Sequence, residues 1–284
     1  MFISPETGRN KHRHYLLSTL VLFISLIVGT ICYTVFVELT IQPDMSNKMV
    51  QLYDNIGLSL FCIIPIFGLF LSIKFIHKRP FRTLMTGAAK FRWKLTFIGA
   101  GVLIVCMAIV YPLAMLIAPQ QFEYQGIDRE LILLIILVAI FAIPIQTTVE
   151  ELFFRGFLLQ WFAKFLKSPI LLGAVITIIF ALMHFWNPEM AMGPLFVAGG
   201  YIVMSIAYTA STLILKGTEF AIGVHAANNM MLMIFFLFSE NALLAPMSIW
   251  TIHYSTLVFF ITIYGMNLLW LGFVLVFKKR LIRI

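Results

Sequence analysis

LILLIILVAIFAIPIQTTVEELFFRG, residues Leu131–Gly156, decides what kind of molecule this is. Its first half is an unbroken apolar run of the kind that crosses a bilayer. Its second half then sets Glu150, Glu151 and Arg155 inside the same helix. Ionisable side chains at membrane depth cost about 2.5–3.5 kcal/mol each on insertion scales, so they mark function or mutual pairing.

The rest of the chain supports the membrane reading. Of 284 residues 61% are hydrophobic and 11% charged, and the mean hydropathy is +0.99. A soluble domain carries roughly 45–50% apolar and about 25% charged residues. The composition excludes a soluble globular protein and predicts an all-α, polytopic membrane protein of about eight spans. These are Tyr15–Val37, Ile56–Ile76, Leu95–Ala118, Leu131–Phe153, Ile170–Phe185, Pro194–Leu215, Phe220–Phe238 and Thr256–Phe277. The first has too long an apolar core, and no small-residue cleavage site after it, to be a signal peptide. Cys32, Cys62 and Cys106 each fall inside a span with no paired spacing, and read as small buried apolar residues.

Charge orients the chain. All but two of the 20 Lys and Arg residues fall in the N-terminal tail, around Lys74–Lys94, around Arg155–Lys167, at Lys216 and in the C-terminal tail. Lys48 and Arg129 are on the other side, with Glu38, Asp44, Asp54, Glu123, Asp128, Glu130, Glu189 and Glu240. Basic loops face the cytoplasm. Both termini are therefore expected there, in a multi-pass protein of a cell membrane, and short loops without targeting signals suit a bacterial plasma membrane. The net charge of +8 follows from topology and anionic lipid, with no nucleic-acid partner required. The polar residues divide the chain into residues 1–130 (tail and three spans), 131–238 (the chemistry-bearing core) and 239–284 (outer loop, last span and basic tail).

Within the membrane the remaining polar groups are few. "FALMHFWNP" brings His184 and Asn187, and "GVHAANNMM" brings His225, Asn228 and Asn229. Glu151 and Arg155 are four apart and can pair on one helix face. Glu150 is turned about 100° away and looks toward another helix. His225 and Asn229 are again four apart. Glu150 and His184 lie equally far either side of Lys167, in the turn "FLKSP" where Ser168 suits an N-cap and Pro169 the first helical position. An antiparallel hairpin places them opposite each other, about 25 Å above that turn at 1.5 Å per residue. For His225 to join them the hairpin must project past the "KGTE" turn, which predicts an intramembrane polar cavity reached from the cytoplasmic, basic side.

A carboxylate held away from bulk water can act as general base toward water, with a neighbouring histidine relaying the proton. His225 and Asn229 can donate to a developing oxyanion, where preorganised donors contribute about 3–4 kcal/mol. The set suffices for amide hydrolysis without a covalent intermediate. Glu150, His184 and His225 could equally hold zinc. Neither H-E-x-x-H nor G-x-S-x-G occurs.

"EELFFRG", "FALMH" and "HAANN" resemble, in order, the E-E-x-x-x-R, F-x-x-x-H and H-x-x-x-N motifs of the CAAX-protease and bacteriocin-processing (CPBP, or Abi) family, over about Leu131 to Leu237. These are intramembrane endopeptidases that include the type II CAAX prenyl endopeptidases. The resemblance implies that Glu150 activates water with His184, that His225 and Asn229 bind the oxyanion, and that Glu151 and Arg155 are a structural pair. Metal-independent catalysis is favoured, with zinc the alternative. The implied substrate is a membrane-associated protein or peptide: a CAAX-type tail, a signalling-peptide precursor or a bacteriocin precursor. The competing readings are a non-catalytic bacteriocin-immunity or membrane interaction protein on the same fold, and a proton-coupled transporter.

Overall fold

The computed structural model describes residues 2–238 and 248–284, so Glu240, expected among the outer-loop acids, lies outside the described residues. The chain is an antiparallel bundle whose helices run between a basic end and an acidic end. Six helices are long and apolar enough to cross a membrane: His12–Thr40, Asn47–Ile76, Trp93–Ile117, Ile132–Phe162, Pro194–Leu215 and Thr256–Leu281. We label the regular segments α1 (His12–Thr40), α2 (Asn47–Leu71), α3 (Arg82–Met85), α4 (Trp93–Ile117), α5 (Ile132–Phe141), α6 (Ile143–Glu151) and α7 (Leu159–Phe162). There follow α8 (Pro169–Met183), α9 (Pro194–Leu215), α10 (Glu219–Ile234), α11 (Thr256–Phe259) and α12 (Met266–Leu281).

Two of the eight expected spans are shorter than a bilayer. α8 has 15 residues and α10 has 16, about 22–24 Å at 1.5 Å per residue against ~30 Å of hydrocarbon. The expected seventh span does not continue to Phe238. It stops at Ile234, and Phe236–Phe238 is a strand. That strand, β2, pairs parallel with β3 (Trp250–Ile252), which pairs antiparallel with β1 (Phe122–Tyr124). This small sheet at the acidic end was not expected from an all-helical reading. The second span is longer than expected, since α2 begins at Asn47, capped by Ser46, and so takes Asp54 out of the loop and into the helix.

α10 is the axis of the molecule, with Glu219–Asn228 buried on every side. It crosses α4 at glycines. A Cβ on Gly223 would stand 1.9 Å from the Thr96 carbonyl oxygen, and one on Gly99 would stand 2.5 Å from that of Phe220. Backbones approach this closely because small residues are the means by which helices pack when lipid is as apolar as leucine. α1 is the opposite case. Leu16, Leu20, Phe23, Ile27 and Ile31 are exposed along it, as a lipid-facing surface requires.

The helix carrying the two glutamates has three parts. Pro144 enters at the start of α6, and a π-helical stretch, Leu152–Leu158, follows Glu151. π-turns inside α-helices recur at functional sites because they redirect side chains without ending the helix.

Candidate active site

Glu150 and Glu151 leave adjacent positions of α6 into different environments. The Glu150 side chain is 32% exposed, and its Oε2 lies 3.6 Å from Nε2 of His184, itself 18% exposed. His184 is the C-cap residue of α8. Its Nδ1–H donates to the Phe180 carbonyl oxygen at 2.7 Å. With that proton committed, Nε2 of the neutral ring presents a lone pair to Glu150. The imidazole is held between the rings of Phe180 and Tyr201, at centroid distances of 4.2 and 4.6 Å.

Glu151 is fully buried and accepts from two cationic or potentially cationic donors. Arg155 Nη1 lies 3.1 Å from its Oε1, and His225 Nδ1 lies 2.8 Å from the same oxygen. The pair expected from spacing is thus part of a larger network. Arg155 also donates through Nη2 to Ser205 Oγ at 2.8 Å and through Nε to Thr209 Oγ1 at 3.4 Å. Its guanidinium lies 4.4 Å over the Phe180 ring. A buried charge is tolerable only when its donors are used this fully. Because Nδ1 of His225 is spent on Glu151, the ring offers a donor at Nε2 only when it carries both protons.

His225 comes from the first half of α10, and Asn228 and Asn229 follow within a turn. Asn228 Nδ2 donates to Asn229 Oδ1 at 3.0 Å, leaving the Asn229 amide N–H groups for another partner. His225 and both asparagines line a cavity of ≈ 390 Å³ that also takes in Glu150 and His184. The bond from Asn228 fixes the orientation of Asn229.

The cavity lies toward the acidic ends of the helices. Much of its lining comes from the acidic-end halves: Asp54 on α2, Asn187 and Glu189 after α8, Tyr201 on α9, Phe238 in β2 and Phe259 in α11. On the basic side it ends at the layer of Glu151, Arg155 and Tyr208, all buried. Below that layer Gln160 joins Arg79 at 2.8 Å and the Phe2 carbonyl at 3.0 Å.

Several lining groups escaped the sequence reading. Tyr201 donates to Glu189, and Asn187 Nδ2 donates to Tyr201 Oη at 2.9 Å and to Glu189 Oε1 at 3.1 Å. Asp54 accepts from Tyr33. Asp54 and Glu189 had been assigned to outer loops on charge alone, whereas both reach the cavity. A signal for α9 was present: Tyr201, Ser205 and Thr209 follow one another at steps of four, a polar stripe on an otherwise apolar helix.

Among the described residues no three of His, Cys, Asp and Glu are grouped as a metal ion would require. Glu150 pairs with His184 while His225 is bound to Glu151, so Glu150, His184 and His225 do not converge as one donor set.

A family model described as Rce1-like, type II CAAX prenyl endopeptidase, matches residues 129–231, the stretch that carries Glu150, Glu151, Arg155, His184, His225 and Asn229. The chain is 34% identical over 245 residues to the uncharacterized protein YyaK of Bacillus subtilis (strain 168), an alignment covering 82% of this chain and 81% of that one. No solved structure matches it. A shared motif region and an alignment along most of both chains place this protein in the Rce1-like family of type II CAAX prenyl endopeptidases, a family of intramembrane proteases.

Proposed function

We propose that the chain is an intramembrane endopeptidase that hydrolyses a peptide bond of a membrane-associated protein or peptide by water activated at Glu150. The observation that carries this reading is the Glu150–His184 pair. At 3.6 Å the two groups are too far apart for a direct hydrogen bond, and both line the cavity, where a water molecule beside the carboxylate lies within reach of the histidine as well. Oε2 has no hydrogen-bond partner among the described residues.

Glu150 takes a proton from that water as its oxygen attacks the scissile carbonyl carbon. The carbonyl oxygen gains the charge, within reach of the Asn229 amide and, when His225 is doubly protonated, of its Nε2–H. The carboxylate of Glu151 lies 2.8 Å from Nδ1 of the His225 ring. Glu150 then delivers that proton to the departing amine, directly or through His184 Nε2, and the carbon–nitrogen bond breaks as the oxyanion collapses to the new carboxyl group. The Nδ1–H bond to Phe180 keeps His184 Nε2 directed at Glu150 throughout. No step requires a metal ion, and metal-independent catalysis is part of the proposal.

The test is comparative peptidomics of membranes containing the wild-type chain or Glu150→Gln at equal abundance. The reading expects a set of peptides lost in the variant, and purified variant cleaving them about 10²–10⁴-fold more slowly. Unchanged peptide sets together with full biological activity of Glu150→Gln would instead identify an immunity or interaction protein on this fold.

A further inference from the structure

We infer that a groove between α4 and α12 binds one anionic phospholipid, with an acyl chain along the groove and the headgroup phosphate at its basic end. Two observations meet there. The first is a hollow of ≈ 420 Å³, distinct from the cavity that holds Glu150. It is lined by Ile98, Gly101, Val102, Val105 and Cys106 of α4 and by Phe273 of α12. Gly101 keeps it open. A Cβ there would meet nothing within 4 Å, whereas one on Gly99, two residues earlier, would strike the backbone of α10. From Ile98 to Cys106 the groove follows α4 for about 12 Å at 1.5 Å per residue, enough for the upper part of an acyl chain. Its wall offers water no partners beyond the Cys106 thiol, and an empty hollow forfeits dispersion contacts. In a bilayer it therefore fills with hydrocarbon.

The second observation is the charge at the groove's end, which selects among lipids. Lys94, Ile98, Gly101 and Val105 follow one another at steps of four, three and four, so Lys94 stands on the groove's own stripe in the first turn of α4. On α12 the Phe273 ring lies 4.7 Å from that of Phe277, and Arg280 lies over the Phe277 ring at 6.0 Å. Both walls thus end in a cation. Arg92 nearby is spent on Glu219, but neither Lys94 nor Arg280 has an ion pair among the described residues. No Asp or Glu occurs in residues 55–122 or 241–284, and Lys278 and Lys279 add to the same end. Exposed Trp93, beside Lys94, is a side chain that settles at the headgroup level. A net-negative headgroup meets unpaired cations here. A zwitterionic one brings its own ammonium to a rim with no acid to receive it.

Alkylation of Cys106 reads the groove directly in the unaltered chain. Purified protein in neutral detergent is treated with N-ethylmaleimide while phosphatidylglycerol, phosphatidylcholine or glycerol 3-phosphate is titrated in. Each cysteine is followed by peptide mass mapping, with Cys32, exposed on α1, as the internal control. Phosphatidylglycerol should halve the Cys106 rate at a concentration about tenfold below that required of phosphatidylcholine, while Cys32 responds alike to both. Glycerol 3-phosphate, an anion without chains, should leave Cys106 unprotected. Lys94→Gln combined with Arg280→Gln should bring the two lipids to parity. Gly101→Leu starts its side chain in the open hollow and improves helix propensity. It should remove the phosphatidylglycerol that native mass spectrometry finds on the wild-type chain. Equal protection by the two lipids, protection by glycerol 3-phosphate or no protection of Cys106 at all overturns the site. So does selectivity that survives the paired substitution, or phosphatidylglycerol retained by Gly101→Leu. None of these results depends on whether the protein hydrolyses peptides.

Discussion

The two halves of this bundle solve the problem of polar groups in a membrane in opposite ways. On the basic side of the site, Glu151, Arg155, Ser205, Thr209 and Gln160 are buried and tied to one another or to the backbone. On the acidic side Glu150, His184, Asn187 and Glu189 remain partly exposed around a cavity. Neighbours in sequence, Glu150 and Glu151, fall on either side of the boundary. The closed network is held by both its ion pair and its hydroxyl partners, though Glu151 Oε2 has no partner among the described residues, and the open one leaves whole side chains free to engage water or substrate. Stability should therefore depend on the closed half and turnover on the open one.

The largest effect that could break this contrast is at Arg155. Arg155→Met leaves Glu151 buried with only His225 as partner, and should cost about 3–5 kcal/mol in unfolding measured in detergent. Glu150→Gln, isosteric and partly exposed, should shift the same transition by about 0.5 kcal/mol or less. If the two variants were equally destabilised, the halves would not differ as described.

A comparable effect is expected from acid. His77, just beyond the end of α2, is fully buried, and its pKa is lowered to about 4, mainly by burial and then by Arg79. The unfolded chain binds this proton near pH 6.5 and the folded chain does not. Stability contributed by the neutral ring is thus present above about pH 6.5 and lost as pH falls toward 4, by at most about 3 kcal/mol. The check is a denaturation series across that window, in which His77→Phe should flatten the slope. An unchanged slope would detach the tail's anchor, Arg9 N–H to the His77 carbonyl at 2.6 Å, from the acid sensitivity of the closed half.

Gly223→Ala probes the scaffold shared by both halves. Its methyl would meet Thr96 backbone, so α10 must move away from α4, at about 1–3 kcal/mol. Displaced by even a fraction of an ångström, His225 and Asn229 should lower kcat more than they raise KM. The smallest effect is assigned to Asn228→Ala. Loss of its bond to Asn229 should slow turnover about tenfold, roughly 1.4 kcal/mol in the barrier, with the unfolding transition nearly unchanged.

Much of this was legible in the sequence because its signals were local. Hydropathy located the spans. The steps of four from Glu151 to Arg155 and from His225 to Asn229, and the symmetric distances about Lys167, relied only on helix geometry. What escaped was set by depth and by partners distant in sequence. α10 ends at Ile234, before the expected Phe238, with no drop in hydropathy, since Phe235, Phe236, Leu237 and Phe238 keep the segment apolar while it leaves the helix for a strand. Asp54 and Glu189 look like topology acids until the termini of α2 and α8 are known. The position of the cavity along the bundle could not be deduced from the depth of a hairpin, because it depends on the groups packed at the basic end, the N-terminal tail and the Arg92–Glu219 pair among them.

The brevity of α8 has a consequence for the lipid as well as for the protein. Its apolar cylinder falls several ångströms short of the hydrocarbon thickness, and exposed Trp186, just beyond its end, is a side chain that settles at the headgroup level. Lipid meets a short hydrophobic wall by thinning, at fractions of a kcal/mol per ångström. The membrane beside His184 should therefore dip toward the site, so that a surface-bound segment reaches it through a dimple of headgroups rather than across an oily barrier.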